Sequence, residues 1–301
     1  MALEMTWEGV FPAVTTQFNE DLSVDLSGTQ KVIDALINDG VHGLVMMGTC
    51  GENNSLEPDE KVQILEAARE VAGTRAPLFV GVSEMTTPRA VAFAKQAAKS
   101  GADALMVLPA MVYVPKPNEL VAHFRAISQA TDLPIIIYNN PTSYRVNVEL
   151  DVLAELEDCK TIVGLKESSS DTRRYIDVPN RFGDRFLMMA GLDDVAFEGL
   201  TLGAKGWISG LTSAFPQESV ALVESLARGD IDTALRIYRW FMPLLHLDAA
   251  HDLVQSIKLA EQVMGRGSER VRSPRLLLEG ARRKQVIDMV EAAAASRPKL
   301  S

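Results

Sequence analysis

The chain reads as a (β/α)8 barrel, an α/β fold, followed by a C-terminal helical extension. Two observations predict it: a helix–glycine–strand phrase that recurs along the chain, and eight short, continuous apolar runs separated by amphipathic stretches. A third is the change to helix-only patterning past residue 228, which divides the chain into a barrel over 1–228 and an extension over 229–301.

The recurring phrase runs Asp39-Gly40-Val41-His42-Gly43-Leu44-Val45-Met46, then Ser100-Gly101-Ala102-Asp103-Ala104-Leu105-Met106-Val107, then Leu202-Gly203-Ala204-Lys205-Gly206-Trp207-Ile208-Ser209. Each time a helical period stops at a glycine, which tolerates the left-handed backbone that closes a helix. An apolar strand then starts within a few residues. The expected strands are 9–18, 43–48, 78–83, 104–109, 135–140, 162–168, 186–191 and 206–210. Their runs are continuous rather than alternating, as parallel strands covered on both faces require. Helical periods fall between them at 25–38, 58–71, 89–99 and 118–130. Eight such units fit a closed barrel. A doubly wound sheet competes, but no Gly-x-Gly-x-x-Gly turn follows the first strand. The extension reads as helices over 231–247, 252–264 and 274–295, with Pro243 bending or ending the first.

Charge and composition narrow the function. The 301 residues carry a net charge of −10, from 40 acidic and 30 basic side chains, which argues against nucleic acid or an anionic membrane as partner. The basic stretch Arg266, Arg270, Arg272, Arg275, Arg282, Arg283, Lys284 is interleaved with Glu269 and Glu279 and reads as a solvated or subunit-facing surface. No apolar run approaches the ~18 residues of a spanning helix. Two cysteines, Cys50 and Cys159, cannot build a disulfide framework and suit a reducing cytoplasm, and the N-terminus lacks a signal-peptide pattern. His42, His123, His246 and His251 are scattered, and the last two, five apart, do not stack on one helical face. No metal site is therefore expected.

Barrels of this kind carry their chemistry at the C-terminal ends of the strands. That rule selects Gly48-Thr49-Cys50-Gly51-Glu52-Asn53, Tyr138-Asn139-Asn140-Pro141, Lys166-Glu167-Ser168, Gly191-Leu192-Asp193-Asp194 and Ile208-Ser209-Gly210. A lysine closing an apolar strand is favoured in its neutral form, and a neutral amine attacks carbonyl or imine carbons to form a Schiff base. The bland alternative is a salt bridge from Lys166 to Glu167. Glycines around Thr49 and Cys50 let backbone N–H groups approach a carboxylate, although a plain tight turn has the same sequence. Tyr138 is placed to relay protons with Thr49 on its hydroxyl, or else it is a core tyrosine with a bonded tip.

These motifs, Gly48-Thr49-Cys50-Gly51-Glu52-Asn53, Tyr138-Asn139-x-Pro141 and Gly164-Leu165-Lys166-Glu167, resemble the three signatures of the dihydrodipicolinate synthase / N-acetylneuraminate lyase family in order and spacing. The resemblance covers essentially the whole chain. It implies class I (lysine Schiff-base) lyase chemistry on 2-oxo acids, no cofactor beyond the covalent substrate imine, and a homotetramer of tight dimers. By position it makes Lys166 the Schiff-base lysine, Tyr138 the proton-relay tyrosine and Thr49 the hydroxyl of that relay. Cys50 takes the place of the carboxylate-binding Thr or Ser. Gly48, Gly191, Ile208 and Ser209 line the substrate site, and Asp193 and Asp194 match an acidic pair that holds substrate hydroxyls in sialic acid lyases. The alternative for that acidic pair is an N-cap and first-turn acid.

The departures narrow the branch. Synthases of the family carry an arginine shortly after Tyr-Asn-x-Pro, where this chain has Ser143, with Arg145 two residues on. They also lend a tyrosine across the dimer, where this chain has Met111, with Tyr113 displaced. With Gly-Leu-Asp-Asp, the set looks most like the 1-pyrroline-4-hydroxy-2-carboxylate deaminases of hydroxyproline catabolism, which yield 2,5-dioxopentanoate and ammonia. The partner is then a small 2-oxo or cyclic imino acid. A 2-oxo-acid aldolase, a 2-keto-3-deoxy-sugar-acid dehydratase and a 4-hydroxy-tetrahydrodipicolinate synthase use the same lysine and tyrosine. A non-catalytic regulatory barrel requires that one of the two be lost, and both are present.

Overall fold

The computed structural model describes residues 7–110 and 113–300. Eight parallel strands form one sheet: β1 (Gly9–Pro12), β2 (Leu44–Met46), β3 (Leu78–Val82), β4 (Ala104–Val107), β5 (Ile135–Asn139), β6 (Ile162–Glu167), β7 (Leu187–Ala190) and β8 (Gly206–Ser209). β1 pairs β8, and each other strand pairs its sequence neighbour. The ring closes between β1 and β2 through the Ala13–Val45 bridge, with Val14 N donating to Val45 O at 3.0 Å and His42 N to Val10 O at 2.9 Å.

The helices are α1 (Leu26–Asn38), α2 (Pro58–Ala72), α3 (Thr87–Lys99), α4 (Pro117–Ser128), α5 (Pro141–Tyr144) and α6 (Leu150–Glu155). They continue as α7 (Arg174–Phe182), α8 (Ala196–Thr201), α9 (Pro216–Ala227), α10 (Ile231–Leu245), α11 (Leu253–Val263) and α12 (Gly280–Ala295). Local chemistry sets their ends: Asp25 caps α1 by accepting from Gly28 N at 2.8 Å, and proline opens α2, α3, α4 and α9. The glycine of each recurring phrase is left-handed, with φ of 91° at Gly40, 93° at Gly101 and 109° at Gly203.

Each strand is buried on both sides, so alternate residues serve two cores. Leu44, Leu78, Leu105, Ile135, Ile162, Leu165 and Trp207 face the helices. Phe11, Val45, Phe79, Met106, Ile136, Met189 and Ile208 fill the barrel interior. All eight strands fall inside their expected runs, but they are shorter. β1 stops at Pro12 because Thr15 and Thr16 turn to bond Glu261 Oε2 and Gly51 O, both at 2.7 Å.

The extension is helical, though α12 begins at Gly280 rather than at 274. Pro243 lies in the last turn of α10. Arg266, Arg272, Arg282 and Arg283 are ion-paired within the chain, to Asp39, Glu60, Asp252 and Glu269. Arg266 and Arg272 therefore fasten the extension to the barrel, Arg282 and Arg283 brace the extension internally, and Lys284 stays solvated, paired with Asp288. Beneath the barrel mouth the fully buried Lys258 Nζ donates to Thr16 O at 2.8 Å and to Glu52 Oε1 at 2.9 Å. No helix among the described residues is long and apolar enough to cross a membrane.

Candidate active site

Strand register brings the lysine and the tyrosine together. β5 and β6 pair with Tyr138 opposite Lys166, after a register shift at Ile135/Ile136. Side by side in parallel strands, both project to the barrel interior. Lys166 is 5% exposed, and its Nζ lies 4.0 Å from the Tyr138 ring centroid. Burial pulls its pKa below the ordinary lysine value, opposed first by the Asp248 carboxylate. The salt bridge to Glu167 does not form, since alternation sends Glu167 to the other face. There it pairs with Arg174 Nε at 2.5 Å and accepts from Asn139 Nδ2 at 3.0 Å and Ser169 N at 2.8 Å.

The hydroxyl relay is built differently from expectation. Thr49 Oγ1 is hydrogen-bonded to the Tyr144 hydroxyl, not to Tyr138. Tyr138 Oη instead accepts from Asn140 Nδ2 at 3.1 Å. The cause is α5: Asn140 Oδ1 accepts from Ser143 N at 2.9 Å, and Arg145 ends the turn in a left-handed conformation, φ 58°. That single turn folds Tyr144 back until its ring meets Tyr138 edge-on, centroids 5.7 Å apart. Burial pushes both phenols well above the usual tyrosine range, so both are neutral acids. Ser143 and Arg145 are exposed, Tyr113 is exposed, and Met111 lies outside the described residues.

The loop after β2 is a strained cradle. Met47 and Glu52 both adopt positive φ, 54° and 53°. Gly51 is obligatory, since a Cβ there would lie 2.8 Å from Met47 Cα and 3.0 Å from Val14 O. The N–H groups of Thr49, Cys50 and Gly51 donate to no protein acceptor among the described residues. Consecutive free N–H groups suit an anion. Cys50 is buried, and burial pushes its thiol up, so it is a neutral lining group. Glu52 turns down to Lys258 and is not part of the mouth.

At β7, Gly191 leaves room for the lysine: a Cβ would stand 2.8 Å from Lys166 Cγ and 2.1 Å from Ser168 Oγ. Gly48 sits above Met106, and Ile208 lies in the interior core. The acidic pair is not a pair. Asp193, fully buried, accepts from Trp207 Nε1 at 2.9 Å, Ser209 Oγ at 3.1 Å and Leu211 N at 2.9 Å. It braces the end of β8, because three buried donors there need an acceptor. Ser209 is thereby committed to Asp193 and to Thr212 N rather than to a ligand. Asp194 faces the extension, with Oδ2 2.9 Å from His246 Nδ1 and its carbonyl accepting from Tyr238 Oη at 2.7 Å. Neither is an N-cap, a position held by Leu192, but both lie in the first turn of the short 3-10 helix Asp193–Val195, as the first-turn half of the alternative expected.

The carboxylate that does reach the site is Asp248, between α10 and α11. Asp193 N donates to its Oδ2 at 3.4 Å. A Cβ on Gly210 would lie 2.5 Å from its Oδ1 and 3.2 Å from Cys50 Sγ, so Asp248 and Cys50 flank the end of β8. Strand-end reasoning missed Asp248 because it comes from the extension. It missed Tyr144 because a one-turn helix has no periodicity. No group of three metal-ligating side chains occurs among the described residues. The assembled chemistry is an amine held towards neutrality, two neutral phenols, a carboxyl group and an N–H cradle, which together can add to a carbonyl or imine carbon of a small acid.

Comparison with known proteins agrees. The model of the "Dihydrodipicolinate synthetase family" matches residues 6–293. The 4-hydroxy-tetrahydrodipicolinate synthase of Methanosarcina mazei is 30% identical over 89% of this chain and 92% of its own. That of Rhodopseudomonas palustris is 32% identical over 91% and 92%. Among solved structures, dihydrodipicolinate synthase from Aquifex aeolicus superposes with a TM-score of 0.91 at 26% identity, covering 96% of this chain and 98% of that one. The chloride-inhibited enzyme from Acinetobacter baumannii, complexed with pyruvate, gives 0.91 at 26%, covering 95% and 99%.

Proposed function

The chain belongs to the dihydrodipicolinate synthetase family of class I lyases, and on that premise we propose that Lys166 forms its imine with a small 2-oxo or cyclic 2-imino acid, without a cofactor. The observation that carries this reading is the buried amine against the Tyr138 ring, beside unpartnered backbone N–H groups. Those N–H groups hold the substrate carboxylate, Lys166 attacks C2, and Tyr138 carries protons to and from the oxygen or nitrogen that leaves.

Within that chemistry the substrate we favour is 1-pyrroline-4-hydroxy-2-carboxylate. Lys166 adds to the ring C2=N bond and the C2–N bond breaks, opening the ring onto a lysine imine. Loss of a C3 proton converts the lysine imine to an enamine, whose electrons expel the 4-hydroxyl as water with Tyr138 assisting its protonation. Proton shifts from C5 to C3 and from the amine nitrogen to C4 then turn the C5 amine into an imine. One water hydrolyses the C5 imine to release ammonia, and a second frees 2,5-dioxopentanoate from the lysine. Three features support this branch over a condensing one: Ser143 where an arginine would clasp a second carboxylate, Arg145 exposed, and carboxyl groups rather than a cation near the lysine. The relatives' names favour a second reading, 4-hydroxy-tetrahydrodipicolinate synthase. Purified protein is assayed for ammonia release from the pyrroline, coupled to a semialdehyde dehydrogenase, and separately for 4-hydroxy-tetrahydrodipicolinate formation. Ammonia without the condensation product supports the deaminase; the reverse result replaces it with the synthase.

A further inference from the structure

The charge arrangement around Lys166 is incomplete without the extension. Lysine imine formation creates a cation: the amine lone pair makes the C–N bond, the carbonyl oxygen leaves as water, and the nitrogen keeps one hydrogen and a positive charge. A buried cation without a counter-charge is costly. Asp193 and Glu167, the acids nearest in sequence to the strand ends, are both committed to structural donors. Asp194 is paired with His246, and Asp252 with Arg282. Among the described residues Asp248 accepts a single long N–H bond, from Asp193, and it stands with Cys50 beside Gly210 at the mouth. Its carboxylate opposes the fall that burial imposes on Lys166, and Lys166 opposes the rise that burial imposes on Asp248.

We propose that Asp248, delivered by the loop between α10 and α11, is the counter-ion of the cationic imine on Lys166, so that the helical extension completes the active site. The step then balances inside the site. Neutral carboxyl, neutral amine and carbonyl substrate become carboxylate, iminium and water: the departing oxygen takes one hydrogen from the amine and one proton from Asp248. No net charge is buried.

The groups facing Asp248 fit this role. Cys50, from the β2 loop, lies with Asp248 beside Gly210, while Lys166 on β6 and Tyr138 on β5 share its electrostatic field; Cys50 and Tyr138 are neutral. Asp193 and Asp194 lie after β7, and burial with Asp248 beside it raises Asp193 well above the usual carboxylate range. Burial holds the Asp248 carboxyl up at about 6, with Lys166 opposing. The proposal rests on the lysine imine alone and is independent of which substrate the protein turns over.

The test is sodium cyanoborohydride trapping of pyruvate on Lys166, followed by peptide mass mapping across pH 5–8. In the parent protein the trapping rate carries an ionisation near pH 6. D248N should lower trapping about ten- to thousandfold, the range over which an adjacent opposite charge shifts an ionisation, and should remove that feature. D248E, which keeps the charge, should restore both in part. A purely structural role would lower the amplitude and leave the pH profile unchanged. Parent-like trapping and profile in a folded D248N protein overturn the proposal and leave the pyrroline reading standing. If D248N does not fold, a parent profile without the ionisation overturns it equally. A parent protein that traps no pyruvate overturns the lysine reading and this proposal together.

Discussion

Replacing Lys258 by methionine tests whether the buried ion pair beneath the mouth holds the catalytic loop. Lys258 and Glu52 are both fully buried, and the amine is satisfied by Glu52 Oε1 at 2.9 Å, Thr16 O at 2.8 Å and the Phe18 ring at 4.5 Å. Removing one partner of such a pair costs about 3–5 kcal/mol, because the other charge stays buried. Glu52 would keep the Arg272 N–H at 2.9 Å and Arg275 at 3.8 Å, which puts K258M near the lower figure. At roughly 2–4 °C per kcal/mol for a domain of this size class, the melting temperature falls by about 6–12 °C. E52Q should fall by a similar amount, leaving the ammonium buried. In K258M/E52Q no charge remains stranded, so the double variant should be more stable than the sum of the singles by about 2 kcal/mol or more. Thermal and urea melts of the four proteins measure the cycle. Strictly additive effects, or single losses below about 1 kcal/mol, would refute the claim that this pair is coupled and desolvated.

Three further outcomes follow from the same geometry. Y144F should lower kcat about tenfold to hundredfold while pyruvate trapping persists, since the Tyr144 hydroxyl bonds Thr49 and its ring meets Tyr138 edge-on; unchanged steady-state kinetics would remove it from the relay. G191A forces a methyl to within 2.8 Å of Lys166 Cγ and 2.1 Å of Ser168 Oγ. It should therefore cost about 1–3 kcal/mol of stability and most of the trapping rate, as read by melting and cyanoborohydride labelling. Burial raises the Glu261 carboxyl from 4.5 to about 7, with the Thr15 hydroxyl and Lys258 opposing. The native state therefore holds the extra proton between those values, and Glu261 destabilises progressively as pH rises through 7, by on the order of 3 kcal/mol at full ionisation. E261Q should accordingly raise the melting temperature at pH 8 and lose that advantage by pH 5; a gain independent of pH contradicts the burial argument.

The amino-acid sequence by itself determined the eight strands, most helices, the barrel and the positions of Lys166 and Tyr138. Those features are local or periodic: continuous apolar runs, glycines that end helices, and the rule that parallel barrels gather chemistry at strand ends. Strand pairing then set Tyr138 against Lys166, as their shared strand-end position suggested. Tertiary structure alone decided which polar group meets which. Asp193 looks like a substrate ligand until the buried Trp207 and Leu211 donors claim it. Thr49 looks like a partner of Tyr138 until a one-turn helix interposes Tyr144. Asp248, 82 positions after Lys166 and in a connection with no pattern of its own, reaches the site only because the extension folds over the barrel. Hydrophobic periodicity is written along the chain. The pairing of buried donors, acceptors and charges depends on distances between segments remote in sequence, and it exists only once they are packed.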